Sequence, residues 1–258
     1  MKEYFISEID IEKLYHLSDI KIKLDSNKRQ HLLLTGKNGS GKTSLLLEIE
    51  KFLRAINDEK LSQVFDQYPT WINEAKKKVL SASSDSEKYA ADKDLKQCLG
   101  FLKKYSDGVQ INLNQYEGLE MMYHNGKFIT AYFPSERKAQ FMRPNGVENI
   151  TLENTYGIDE SAGDILLKYM VHLKTQQAYA RNEGDQTTAN QIQKWFDRFD
   201  SALQILLDEE SIHIEYDYKK YDFKIRQNGR EPFSFNELSD GYSSVIYIVS
   251  DLILRMDK

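Results

Sequence analysis

One cysteine, Cys98, stands in 258 residues, so the chain can build neither an internal disulfide nor a zinc site of several thiolates. A lone thiol fits a reducing compartment. Prolines number four and glycines 13, too few for a long flexible linker or a low-complexity tract. There is no run of about 18 apolar residues of the kind that crosses a bilayer. The first residues, Met1-Lys2-Glu3-Tyr4-Phe5-Ile6-Ser7-Glu8, place acids where a secretory signal would be apolar. The expectation is a cytoplasmic protein with no membrane contact. A formal net charge of -5 leaves no global basic field to draw in nucleic acid, so any such contact must be local. What the chain does have is 40% apolar and 12% aromatic residues, enough for a sizeable core.

Period-two alternation over Ile20, Ile22 and Leu24 predicts a strand with one wet face, and Phe5 to Leu14 reads as its neighbour. His31-Leu32-Leu33-Leu34-Thr35 is a continuous apolar run, as expected of a strand buried on both faces. From Gly41 the period lengthens, and Leu45, Ile49, Phe52, Leu53 and Ile56 fall on one face of a helix. Residues 58–108 read as a helical hairpin inserted into an α/β domain, interrupted at Pro69 and turning at the polar stretch 81–86. Strands are expected at Val109 to Leu113, Leu119 to Tyr123 and Phe128 to Phe133, the last two joined by a hairpin turn at Asn125-Gly126. Helices follow over Ala162 to Arg181 and Thr188 to Leu207, then strands alternating through Ile212, Ile214, Tyr216 and Tyr218 and through Tyr221, Phe223 and Ile225. A helix from about Tyr242 to Met256 completes the pattern.

Gly36-Lys37-Asn38-Gly39-Ser40-Gly41-Lys42-Thr43 matches G-x-x-x-x-G-K-[ST]. The glycines let consecutive amides turn inward on phosphate oxygens, and the helix that follows presents its positive end to the same charge. Lys42 is expected to reach the β and γ phosphates, and Thr43 to offer its hydroxyl to Mg²⁺. The expected nucleotide-binding set is Gly36, Asn38, Gly39, Ser40, Gly41, Lys42, Thr43 and Ser44.

A second motif, Leu238-Ser239-Asp240-Gly241, stands before the last helix, whose Val245, Val249, Leu252, Ile253 and Met256 share a face. Taken alone it is a helix cap, with Ser239 or Asp240 satisfying the first-turn amides. Paired with the phosphate loop, it resembles the ATP-binding-cassette class of P-loop ATPases, in its soluble branch of SMC-like, RecF-like and OLD-like proteins, which includes many ATPases of prokaryotic phage defence. The resemblance implies one α/β head over 1–258, with a mixed sheet, antiparallel N-terminal strands and the helical insertion. It also implies Mg-ATP as ligand, heads that dimerise or form higher oligomers on ATP, and Ser239, Asp240 and Gly241 meeting the γ phosphate held by the other head. The implied setting is phage defence or DNA repair, with a protein effector as partner and nucleic acid as a further one.

This family places an apolar strand ending in Asp-Glu, the Walker B element, after the signature helix, and this sequence has none there; the expectation is the N-terminal part of a longer ATPase, or a split subunit. Ile205-Leu206-Leu207-Asp208-Glu209 imitates the element, but its apolar residues continue a helical stripe, so it reads as a helix end. Arg137, in Tyr132-Phe133-Pro134-Ser135-Glu136-Arg137, reads as a surface arginine after a strand, the same resemblance offering instead a sensor of phosphate or of a neighbouring head, and Gln115 or Gln140 would touch magnesium. Tyr15 or His16 reads as a half-buried core aromatic, with stacking on adenine as what the resemblance offers instead. Lys76-Lys77-Lys78, Lys103-Lys104, Arg137, Lys138 and Arg143 are the basic clusters, read as solvated edges. Two further readings stand beside the ATPase: an ATP-gated scaffold that does not hydrolyse, serving a nuclease or toxin, and an unrelated P-loop enzyme such as a small-molecule kinase.

Overall fold

The alternating N-terminal residues pair as an antiparallel hairpin, β1 (Ile6–Leu14) and β2 (Leu17–Lys23), turned through Tyr15 and His16. Ile9 and Ile11 of β1 are fully buried while Lys21 on β2 pairs with Asp10 at 2.7 Å on the wet face. In this computed structural model, which describes residues 3–135 and 141–257, the chain forms two compact units that divide between Thr130 and Ala131. Each unit has its own core.

In the first unit, β1 is central, with β2 on one side and β3 (Val109–Leu113) on the other, all antiparallel. Helix α1 (Lys42–Asn57) lays Leu45, Phe52 and Ile56 into this core. It ends in a Schellman turn, Lys60 N–H to Ala55 O at 2.8 Å, with Glu59 in the left-handed region at φ 56°. The insertion is a helical hairpin as expected. A π-helical turn over Gln63–Gln67 leads into α2 (Tyr68–Ser81), and α3 (Asp85–Lys103) opens on a capping box between Ser84 and Glu87. Pro69 does not break the helical path, which runs without a gap from residue 61 to Ser81; the α-pattern loosens to a π turn just before it.

Three strand expectations fail. Leu119–His124 is a short helix, α4, because Leu119 and Tyr123, four apart, are the residues that enter the core, and Leu, Met and Glu favour helix. Asn125-Gly126 closes it as a helix cap and not a hairpin turn: Gly126 N–H reaches Tyr123 O and Lys127 N–H reaches Met122 O, both at 2.8 Å. Phe128 to Phe133 forms no strand, since the division between units runs through it. The apolar run 31–35 is not in a sheet either. Both sides of β1 are already taken, and only Leu34 packs on the core while Leu33 is 85% exposed. A strand of this composition needs apolar cover on both faces, and the first unit supplies it on one. The mixed sheet expected around it is therefore replaced, among the described residues, by two small antiparallel sheets.

The second unit packs α5 (Leu166–Asn182) and α6 (Gln186–Leu207) against the meander β4 (His213–Asp217), β5 (Asp222–Arg226) and β6 (Phe233–Ser234). Trp195 and Phe199 stack at 5.5 Å on α6, and Phe223 and Phe235 fill the layer beneath. Helix α7 (Asp240–Met256) buries Ile246, Ser250 and Leu254, leaving Val245 and Met256 exposed. The expected face of Val245, Val249, Leu252, Ile253 and Met256 is thus not the buried one. The buried side is the more polar one, with Ser243, Ser250, Asp251 and Arg255 beside Ile246 and Leu254, so the apolar stripe points elsewhere.

Candidate functional site

Residues 36–41 run directly into α1, and three glycines set the path: φ is 151° at Gly36, 81° at Gly39 and 90° at Gly41. L-residues rarely adopt such values, and at Gly36 an added methyl would also meet Ser40 Oγ at 2.8 Å. The loop closes on itself through Ser40 N–H to Lys37 O at 3.2 Å. Lys42 folds back over it. Its Nζ donates to Gly36 O at 2.8 Å, Lys37 O at 2.9 Å and Ser40 Oγ at 3.3 Å, which sets the ammonium within the ring of loop atoms.

The first intrahelical bond of α1 is Leu45 N–H to Gly41 O at 2.9 Å, so the amides of Lys42, Thr43 and Ser44 precede the helical ladder. No acidic residue stands in that first turn and no side chain caps it. Backbone amides, a helix dipole and an ammonium therefore converge with no carboxylate of the turn to oppose them, an arrangement suited to a polyanion. Thr43 is exposed beside them. Among the described residues no group of three or more His, Cys, Asp or Glu is placed to hold a metal ion.

The turn between β1 and β2 lies against this loop. A methyl on Gly41 would come within 2.8 Å of Leu17 Cδ1 and 3.7 Å of His16 Cε1. Tyr15, with φ 52°, is 77% exposed, so it is not the expected half-buried core aromatic.

In the second unit, Phe235 sits at the bottom of the core, and Asn236 exchanges hydrogen bonds with the Phe141 backbone at 3.2 and 3.3 Å. These two anchors present Leu238-Ser239-Asp240-Gly241 at the start of α7, with Ser239, Asp240 and Gly241 exposed. Ser239 holds the N-cap position but its side chain makes no cap hydrogen bond; its carbonyl accepts from Ser243 N–H at 2.8 Å. The backbone at Gly241 does not require glycine, since no heavy atom lies within 4 Å of where a Cβ would stand. A cavity of about 360 Å³, lined by Ile212, Arg230, Phe233, Leu238 and Tyr242, opens beside Ser239.

The structure thus gathers Gly36 to Ser44 in the first unit and Ser239 to Gly241 in the second. Asp208 is the left-handed C-cap of α6, and Glu209 accepts from Ser211 Oγ at 2.8 Å and Gln227 Nε2 at 3.2 Å, in line with the helix-end reading. Gln115 donates to Glu3 O at 3.0 Å. Arg137, Lys138 and Gln140 lie outside the described residues. Lys103 pairs with Asp107 at 3.4 Å and Lys104 with Asp58 at 3.3 Å, while Lys76, Lys77 and Lys78 are exposed on α2. Sequence reasoning passed over Asp251 and Arg255, 1% and 2% exposed. The signal was present as opposite charges four apart inside an apolar helix.

No helix among the described residues is long and apolar enough to cross a membrane. No protein-family model matches the chain, and neither a curated protein nor a solved structure matches it.

Proposed function

We propose that this chain binds Mg-ATP on Gly36 to Ser44 and acts as an ATPase head of the ATP-binding-cassette class, two copies joining when Ser239, Asp240 and Gly241 of each meet the γ phosphate held by the other. The observation that carries this reading is the Lys42 ammonium held inside a ring of loop atoms at the open end of α1. Phosphate oxygens take the place of the loop carbonyls as acceptors for that ammonium, and the amides of Lys42, Thr43 and Ser44 turn the remaining positive charge toward them. Magnesium supplies charge neutralisation on the phosphates, and Thr43 is the residue of this chain that would touch it. At the other end, an uncapped Ser239 hydroxyl and a glycine with no local steric need leave room for an anionic group to approach. A base held there would pack on His16, near Gly41, or on the exposed Tyr15. Joined heads would pass the nucleotide state to a protein effector, in phage defence or DNA repair.

A second reading, ATP binding without hydrolysis as a gated scaffold for a nuclease or toxin, is favoured by one observation. Glu209, the acid nearest in pattern to a catalytic carboxylate, is tied to Ser211 and Gln227.

Titration of a fluorescent ATP analogue with magnesium into the wild type and Lys42→Ala tests the site. Loss of one charge-assisted contact predicts affinity weaker by about ten-fold to a hundred-fold in the variant. Equal affinity sinks the assignment. Turnover by the wild type decides between the two readings.

A further inference from the structure

We propose that Asp251 and Arg255 are positioning residues that hold the Ser239 to Gly241 end of α7 in register with residues 156–163; the proposal rests on the reading of Ser239 to Gly241 as a phosphate contact.

The pair lies on a helix whose buried positions are otherwise apolar or small. A buried ion pair contributes little beyond well-packed apolar residues of the same volume, so stability gives no reason for it. What it supplies is direction. Arg255 Nε donates to Asp251 Oδ1 on the same helix, Nη1 donates to Gly157 O at 3.1 Å and Tyr156 O at 3.3 Å, and Nη2 donates to Glu160 O. The planar fork satisfies these acceptors together in one orientation only. The second oxygen of Asp251 accepts from Gly163 N–H at 3.1 Å, and a methyl on Gly163 would stand 3.1 Å from the Asp251 backbone nitrogen. One turn earlier, Tyr247 donates to Ser161 Oγ at 2.5 Å while its ring meets Phe133 edge-on.

Tyr247, Asp251 and Arg255 are four apart and form one row that grips a segment largely without regular structure, whose carbonyls need partners. A helix is stiff along its axis, and Ser239 lies about 18 Å from Asp251 at 1.5 Å per residue. A tilt of about 5° at the clamp therefore displaces the Ser239 end by about 1.5 Å, enough to lose contact with a phosphate oxygen. Residues 156–163 thus fix the axis of α7 from its far half, while Phe235 and Asn236 hold the chain that enters it.

The test uses the full chain with two variants. D251L/R255M removes both charges while keeping apolar bulk, and Arg255→Lys keeps the charge without the fork. Each is measured for thermal unfolding, for affinity toward a fluorescent ATP analogue with magnesium, and for ATP-driven assembly by light scattering. The expected result is a folded protein with wild-type affinity for the analogue and assembly weakened by about ten-fold or more, as a misplacement of an ångström or so produces. Adding Ser239→Ala should weaken assembly no further, because both changes act on one contact, whereas a purely structural pair would add its effect. Wild-type assembly by either variant in folded form overturns the proposal. A wild type that binds the analogue but does not assemble overturns the phosphate-contact reading and this proposal with it, and that result is read before any variant.

Discussion

Replacing Gly41 with alanine probes the loop at its most constrained point. The backbone there has φ 90°, and an L-residue held in that region costs about 1–2 kcal/mol. The new methyl would lie 2.8 Å from Leu17 Cδ1 and 3.3 Å from Leu17 Cγ. Leu17 packs on the core of the first unit, so turning it aside adds an overpacking cost of about 1 kcal/mol. The total is about 2–3 kcal/mol, which at about 4 °C per kcal/mol lowers the melting temperature of a unit this size by about 8–12 °C. Gly39→Ala is the internal control, since its φ is 81° but nothing lies within 4 Å of the added atom. It should show the backbone cost alone, leaving a difference of about 1 kcal/mol that belongs to Leu17. A double-mutant cycle with Leu17→Ala should recover that difference as a coupling energy, read by thermal unfolding followed by circular dichroism. If Gly41→Ala melts with Gly39→Ala, or if the cycle shows no coupling, the packing of the β1–β2 turn against the loop is not as described.

Gly108 has φ 75°, and a methyl there would sit 2.1 Å from Lys13 O, beside the bonds from Glu12 and Lys13 N–H to Gly108 O that join this turn to β1. Gly108→Ala is therefore expected to cost about 3 kcal/mol or more, measured by urea unfolding of the first unit, and a change under about 1 kcal/mol would contradict the close approach. In the second unit, burial raises the carboxyl of Asp164 above its ordinary 3.8, and the charge of Asp251 raises it further. The folded state then binds this proton more tightly than the unfolded chain, so the contribution is present below pH 3.8 and is lost as pH rises through the raised value. Asp164→Asn should leave the second unit more stable than the wild type at neutral pH, with a flatter melting-temperature profile above pH 4. A profile parallel to the wild type would remove Asp164 as the cause.

The glycine-turned loop before α1, the β1–β2 hairpin, the helices of 58–108 and the helix end at Asp208 were legible in the sequence because each is decided by near neighbours. Glycines must stand where φ is positive, side chains alternate where one face is wet, and caps act over three or four residues. Residues 119–124 and 31–35 were misread because periodicity describes which positions are apolar and not what is available to cover them. Leu119 and Tyr123 find a core four residues apart, so a helix forms. Leu32 and Leu33 find no strand on either side, so none forms among the described residues. The same limit hid the buried side of α7: its apolar stripe is clear in the sequence, but the side carrying Asp251 and Arg255 is the one that packs, because residues 156–163 offer those two hydrogen-bond partners. Sequence alone thus determined where the backbone of residues 36–41 turns through its glycines and where α1 begins, because both are set by near neighbours. Only the tertiary structure decided that Asp251 and Arg255 hold residues 156–163, because hydrogen bonds spanning about 90 residues of chain depend on the fold and not on local spacing.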